Sequence, residues 1–244
     1  NAGPDQQVCA NNPAIQLNGF VGNAPGAIWS GGNGTYFPNT ASLVVQYQPT
    51  AAEIAAGSVT FTLTSVGSAV CAPISDQVTV VFTDSPVADA GPDQQVCMNN
   101  AAVQLGGNVQ NANGGQWSGG SGTFTPAPNV FNPVYQPTAS ELASGSVTLY
   151  LTTTGNGTCF SDQDTVTITF TPAPTVDAGV DLQVCANNPV IDLNGAVTVA
   201  SGGTWSGGLG TFLPDAQTLN AQYQPSNFEL GSGSFTLTLT TTGN

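Results

Sequence analysis

Val59-Thr60-Phe61-Thr62-Leu63-Thr64 alternates apolar and polar side chains without a break. Successive side chains of a strand point to opposite faces, so this run sends Val59, Phe61 and Leu63 inward and a row of threonines outward. Phe235-Thr236-Leu237-Thr238-Leu239-Thr240 is the same pattern, and 235 − 59 = 176 is twice 88. The step of 88 recurs everywhere: in Cys9, Cys97 and Cys185, in Trp29, Trp117 and Trp205, and in Tyr47, Tyr135 and Tyr223. One module is therefore written in tandem, over 1–88, 89–176 and 177–244, the third stopping before its last strand.

Outward from that strand, each module supplies more short strands. Ala14-Ile15-Gln16-Leu17 alternates, as do Val103-Gln104-Leu105 and Ile191-Asp192-Leu193. Ala27-Ile28-Trp29-Ser30 and Thr35-Tyr36-Phe37 flank Gly31-Gly32-Asn33-Gly34, which predicts a hairpin with a glycine-rich turn. Leu43 to Tyr47 and Val78-Thr79-Val80 through Phe82 add two more, the latter matched by Val166-Thr167-Ile168-Thr169-Phe170. Thr50 with Glu53, Thr138 with Glu141 and Ser226 with Glu229 have capping-box spacing and predict one helical turn in each module. About seven strands per module, with no long helix, specify an all-β fold of tandem immunoglobulin-like sandwiches. Asp84-Ser85-Pro86-Val87-Ala88 and Thr171-Pro172-Ala173-Pro174-Thr175-Val176 join them, and their prolines predict a semi-rigid rod.

The chain has no Lys, Arg or His and 14 Asp and Glu, a formal charge of −14. Nucleic acid and anionic membrane surfaces are excluded as partners, because both need cationic side chains. No apolar run approaches the 18 residues or so that a spanning helix needs, so no direct membrane insertion is expected. No leader peptide is recognisable either, which reads as a processed or excerpted segment. Serine or cysteine nucleophiles lack a His or Lys to activate them, so no catalytic residues are assigned and no cofactor is expected. The glycine cluster at 31–34 lacks the Lys and the following helix of a phosphate cradle and reads as a turn.

Cys9 and Cys71 are 71 − 9 = 62 residues apart, and Cys97 and Cys159 repeat that spacing. The expectation is one disulfide inside each full module, Cys9 to Cys71 and Cys97 to Cys159, with Cys185 unpaired. Disulfides imply an oxidising, extracellular compartment. Trp29, Trp117 and Trp205 are read as core residues leaning on those bridges; exposed, they would instead be platforms for sugar rings. Asp89, Asp93, Asp177 and Asp181 sit at module junctions and are the calcium candidates, two carboxylates per site. Asp162 and Asp164 read as solvated surface. Asn33 and Asn156 begin Asn-Gly-Thr acceptor triplets, so both are glycosylation candidates.

Several phrases carry a family resemblance: Ala-Gly-Pro-Asp-Gln-Gln-Val-Cys-Ala-Asn-Asn-Pro (Ala2 to Pro13), Trp-Ser-Gly-Gly (Trp29 to Gly32), Tyr-Gln-Pro-Thr (Tyr47 to Thr50) and Gly-Ser-Val-Thr (Gly57 to Thr60). They resemble the PKD-like, immunoglobulin-like tandem repeats of very large Bacteroidota surface proteins exported by the type nine route. The resemblance implies an extracellular array with adhesion, gliding or matrix roles. It also implies sugar addition at Asp-Thr/Ser-apolar triplets, which Asp164-Thr165-Val166 fits, making Thr165 a candidate.

The expectation is thus a non-enzymatic extracellular rod or fibre, with a carbohydrate-binding array of a secreted enzyme as the alternative. Self-association or continuation into a longer array is the expected partnership, with glycans on the surface. In the third module, the Phe235 to Thr240 strand is expected to present an open edge. Either a continuing chain or a strand from a neighbour would cover it, and the sequence favours the first.

Overall fold

The protein, seen in a computed structural model, is described over residues 1–67 and 72–243. In the first module the elements are β1 (Gln6–Cys9), β2 (Ile15–Asn18), β3 (Ala27–Ser30), β4 (Thr35–Phe37), β5 (Val44–Gln48), α1 (Ala51–Ala55), β6 (Ser58–Ser65) and β7 (Ser75–Thr83). They form two sheets, ordered β1-β7-β6-β3 and β2-β5-β4. The alternation read in Val59 to Thr64 explains the packing: Val59, Phe61 and Leu63 face inward, beside Val78 and Val80 of β7. The other sheet opposes them with Ile15, Leu17, Val45 and Tyr47, and Trp29 of β3 completes one continuous core. Two sheets closing on one apolar layer make a β-sandwich.

The strand β1 pairs parallel to β7, with Gln6 opposite Val80 and Val8 opposite Phe82. On its other side β7 is antiparallel to β6, with Val59 opposite Val80 and Phe61 opposite Val78. Thus β7 lies between its neighbours, and β1 reaches the sheet only through it.

The second module repeats the plan with β8 (Val87–Asp89), β9 (Gln94–Cys97), a 3₁₀ turn over Met98–Asn100, β10 (Val103–Gln104), β11 (Asn108–Gln110), β12 (Gly114–Ser118), β13 (Thr123–Thr125), β14 (Val134–Gln136), α2 (Ala139–Ser144), β15 (Ser146–Thr154) and β16 (Gln163–Thr171). The third has β17 (Thr175–Asp177), β18 (Ile191–Asp192), β19 (Ala196–Thr198), β20 (Gly202–Gly207), β21 (Thr211–Leu213), β22 (Gln222–Gln224), α3 (Asn227–Ser232) and β23 (Leu237–Thr242). Here one face is β18-β22-β21, whereas the other, among the described residues, is β20-β23. The chain divides into two compact units, 1–94 with 102–169, and 95–101 with 170–244.

The structure corrects the predicted hairpin. The strand β3 pairs with β6 and β4 with β5, so Gly31–Gly34 carries the chain from one sheet to the other. Gly31 and Gly32 have φ of 105° and 66°, which a residue with a Cβ adopts only under strain. The crossing is therefore sharp enough to change layers.

The segment Pro86–Ala88 is also more than a linker, since β8 pairs with β11 of the second module, Ala88 opposite Val109. Likewise Asp162 and Asp164 are not merely solvated: their carboxylates accept the amides of Ala88 (2.9 Å) and Ala90 (2.8 Å). Asp76 takes the amide of Ala2 in the same way, at 2.8 Å.

Candidate functional site: a clasp between modules

Each module holds a buried carboxylate in a chain without a single cationic side chain. Thr50 and Glu53 form the expected capping box of α1, with reciprocal bonds between side chain and amide, and α2 and α3 repeat it. Beyond the cap, Glu53 Oε1 accepts from the Tyr47 hydroxyl (2.7 Å) and from the Asn33 amide (2.8 Å). A Cβ on Gly32 would strike the Tyr47 hydroxyl, so the glycine lets the loop close over this pair. The glycine-rich loop does cradle an anion, and the anion is the module's own glutamate. Fixed N–H and O–H dipoles replace the missing cation.

Burial pushes the Glu141 carboxyl up, but hydrogen bonds from Tyr135, Thr138 and Ser121 outweigh it and hold it at about 2. Glu229 is held at about 2 in the same way, and Glu53 is lowered. Burial and the facing Glu141 push the Tyr135 phenol up to about 12, so it remains a donor. The sequence showed the cap but not the tyrosine partner. Its signal was present in the constant spacing of Tyr47, Tyr135 and Tyr223 to Glu53, Glu141 and Glu229.

The sulfur chemistry is where the structure departs furthest from expectation. Cys9 is bonded to Cys159, with their Cα atoms 5.0 Å apart and a sequence separation of 150. The bridge therefore ties the first module to the second. It replaces the predicted Cys9 to Cys71 and Cys97 to Cys159 pairs, and Cys97 and Cys185 are free thiols. Cys71 lies outside the described residues. Because Cys9 ends β1, its side chain is at the module boundary, where the loop between β15 and β16 arrives. The bridge is thus no inter-sheet strut for Trp29 to lean on.

Two asparagines beside the bridge extend the clasp. Asn11 donates to the Phe160 carbonyl (3.0 Å) and accepts the Phe160 amide (3.1 Å), while Asn12 donates to the Thr158 carbonyl (3.0 Å). An Asn-Asn pair ahead of a strand is an ordinary turn signal, so its role in the clasp is not visible in the sequence. A shallow hollow of about 500 Å³ opens beside the clasp, lined by Asp84, Asn111, Asn156 and Cys159 among others.

Trp29, Trp117 and Trp205 are buried, with indole N–H groups donating to the carbonyls of Leu43 (3.3 Å), Phe131 (3.0 Å) and Leu219 (3.0 Å). Sugar stacking on them is ruled out by that burial. Asp89 and Asp177 accept the amides of Gly91 and Gly179, and Asp93 accepts that of Thr167. Asp89, Asp93, Asp177 and Asp181 join no group of three or more metal-ligating side chains among the described residues. Thr165 is exposed on β16 opposite Tyr150, and Asn33 is exposed on its loop. Asn156 is half-buried; its amide donates to the Thr153 carbonyl (3.1 Å) and its Oδ1 is buried without a partner. A sugar there would have to break that contact.

No protein-family model matches the chain, and no curated protein matches it. Similar solved structures include mouse protocadherin-24 EC1-3, with TM-score 0.42, 12% identity, and coverage of 93% of this chain and 84% of that one. Titin domains I67-I69, in a Glu-to-Ala variant, give TM-score 0.40 at 11% identity, covering 90% and 83%. Mouse cadherin-23 EC22-24 gives 0.39 at 12% identity, covering 98% and 90%. At such scores the fold rests on the sheets described above and not on these likenesses.

Proposed function

We propose that the chain is an extracellular structural repeat protein whose modules are locked in series to form a surface rod or fibre, as an adhesin stalk, filament or matrix component. The observation that carries this reading is the Cys9–Cys159 bond. A bridge inside one domain stabilises that domain; a bridge between domains restrains one against the next, which is useful to a protein whose work is spacing. The composition supports the same reading, since a coat of Thr, Ser, Asn and Gln with charge of one sign resists collapse and nonspecific contact. Disulfide use favours a location outside the cell. The sequence resemblance favours a bacterial surface, with Thr165 and Asn33 as the exposed positions for sugar.

Electron microscopy of the native material tests it. Elongated particles or fibres that shorten or loosen on reduction are the expected result. Dispersed compact monomers, unchanged by reductant, would overturn the proposal.

A further inference from the structure

The third module contains an empty seat for a strand. In the first module β7 fills the place between β1 and β6. In the third module, Leu182-Gln183-Val184-Cys185 corresponds to β1 but forms no strand, and it borders an open groove of about 1130 Å³ with Phe235 and Leu237 on the other side. Leu182 is 51% exposed and Val184 44%. Phe235 and Leu237 are only half-buried, whereas Val59 and Phe61 at the same places are buried.

The polar fittings of the seat are also in place. Ala2 and Ala90 donate their amides to Asp76 and Asp164, and both alanines are buried; Ala178, their counterpart, is exposed. Asp5 and Asp93 accept the amides of Thr79 and Thr167 on the filling strand, and Asp181 stands at the same position.

A second, separate set of groups is left over in the same compact unit. Cys97 is a free thiol, and Asn99 and Asn100 are exposed, at the places where Cys9, Asn11 and Asn12 grip the loop before β16. In both full modules the segment that fills the seat reads Cys-x4-Asp-x-Val-x-(Val/Ile)-x-Phe, in Cys71–Phe82 and Cys159–Phe170. One segment of that pattern would satisfy both sets.

We propose that the groove is a strand-acceptor site, and that its occupant is a further copy of this repeat's Cys-x4-Asp closing segment, which also bonds its cysteine to Cys97. The strand adds antiparallel to β23 and parallel to Leu182–Cys185, as β7 does between β6 and β1. Its aspartate accepts the Ala178 amide, and Asp181 accepts one of its amides. In the covalent step the two thiols give up two protons and two electrons to a disulfide oxidant, which is reduced to two thiols. The assignment goes beyond the rod reading and does not depend on it, so its failure would leave the microscopy test standing.

The test adds a synthetic peptide with the sequence of Gly155–Thr171 to the full chain in a glutathione redox buffer, followed by adduct mapping and hydrogen exchange. Bonding at Cys97 should exceed bonding at Cys185 by roughly tenfold, with exchange at Val184 and Phe235 slowed by about tenfold or more. A peptide carrying aspartate in place of both Val166 and Ile168 keeps its cysteine and should lose both effects. Adducts spread evenly over Cys97 and Cys185, or no added protection, would overturn the proposal. So would chains that cover the groove by pairing with one another in place of the peptide.

Discussion

The first and third modules are built from nearly the same words, yet one is closed and the other open. Phe61 and Leu237 occupy the same position on the same kind of strand, and only Phe61 is buried. Gln6–Cys9 is a strand, whereas Leu182–Cys185 is not, although both read Gln-Val-Cys at their ends. What separates them is the presence of β7, which hydrogen-bonds to both of its neighbours. A short apolar-polar segment is therefore a strand only when its partner is there, since an isolated edge has nothing to offset the cost of ordering it. By contrast β20, β22 and α3 keep their form, because their partners lie within the module.

That comparison can be broken or sharpened at several points. The largest effect belongs to the bridge, which has no counterpart at Cys185. Cys9→Ser should remove roughly 5 kcal/mol from the stability of the first two modules against unfolding on the chain-entropy account, seen as a lower-melting, less cooperative transition. An unchanged melting curve would mean that the bridge records the docking of the modules and does not cause it. Next, Trp29→Ala should cost about 3–5 kcal/mol in the closed module, by the cavity it leaves. Trp205→Ala should cost measurably less, because its core is already open on one side; equal losses by calorimetry would mean that the third module is as well packed as the first.

Smaller again is the effect of Glu141→Gln, on the order of 1–3 kcal/mol at neutral pH, for charge-assisted hydrogen bonds lost in a buried site. Glu141 has its carboxyl lowered from 4.5 to about 2, so its stabilisation is complete above the unfolded value and is lost as pH falls through the folded one. The melting difference between wild type and Glu141→Gln should therefore hold at pH 7, shrink as pH falls below the unfolded value, and vanish only below about pH 2. A difference that grows on acidification would refute the assignment. The smallest effect expected is from Asp76→Ala, which removes the bond to the Ala2 amide: an almost unchanged melting temperature, with faster exchange confined to that amide.

The sequence makes some of this legible and hides the rest for definite reasons. Strict alternation marks β6 because every second residue must face one core, and the capping boxes are visible because both partners lie within three residues. The disulfide partner is not visible. In a tandem repeat, a pairing across 62 residues within one module and a pairing across 150 between neighbours are equally periodic, since they differ by one step of 88. Only the position of Cys9 at the end of β1, facing the next module, decides between them. The apparent hairpin at Ala27–Phe37 fails for a related reason: local pattern sees two strands and a turn, but the layer each strand joins is set by β6 and β5, farther along the chain. The Tyr47–Glu53 pair was hidden because a cap alone already accounts for the spacing of Glu53.

One consequence of the clasp concerns tension. A pull applied at the two ends of the chain runs from Asn1 to Cys9, crosses the sulfur atoms and resumes at Cys159. The stretch between them, a sequence separation of 150 at about 3.6 Å per step, is roughly 540 Å of slack that cannot be drawn out while the bond stands. Most of two sandwiches is thereby spared the load, and a reductant would act as the release that lets them stretch.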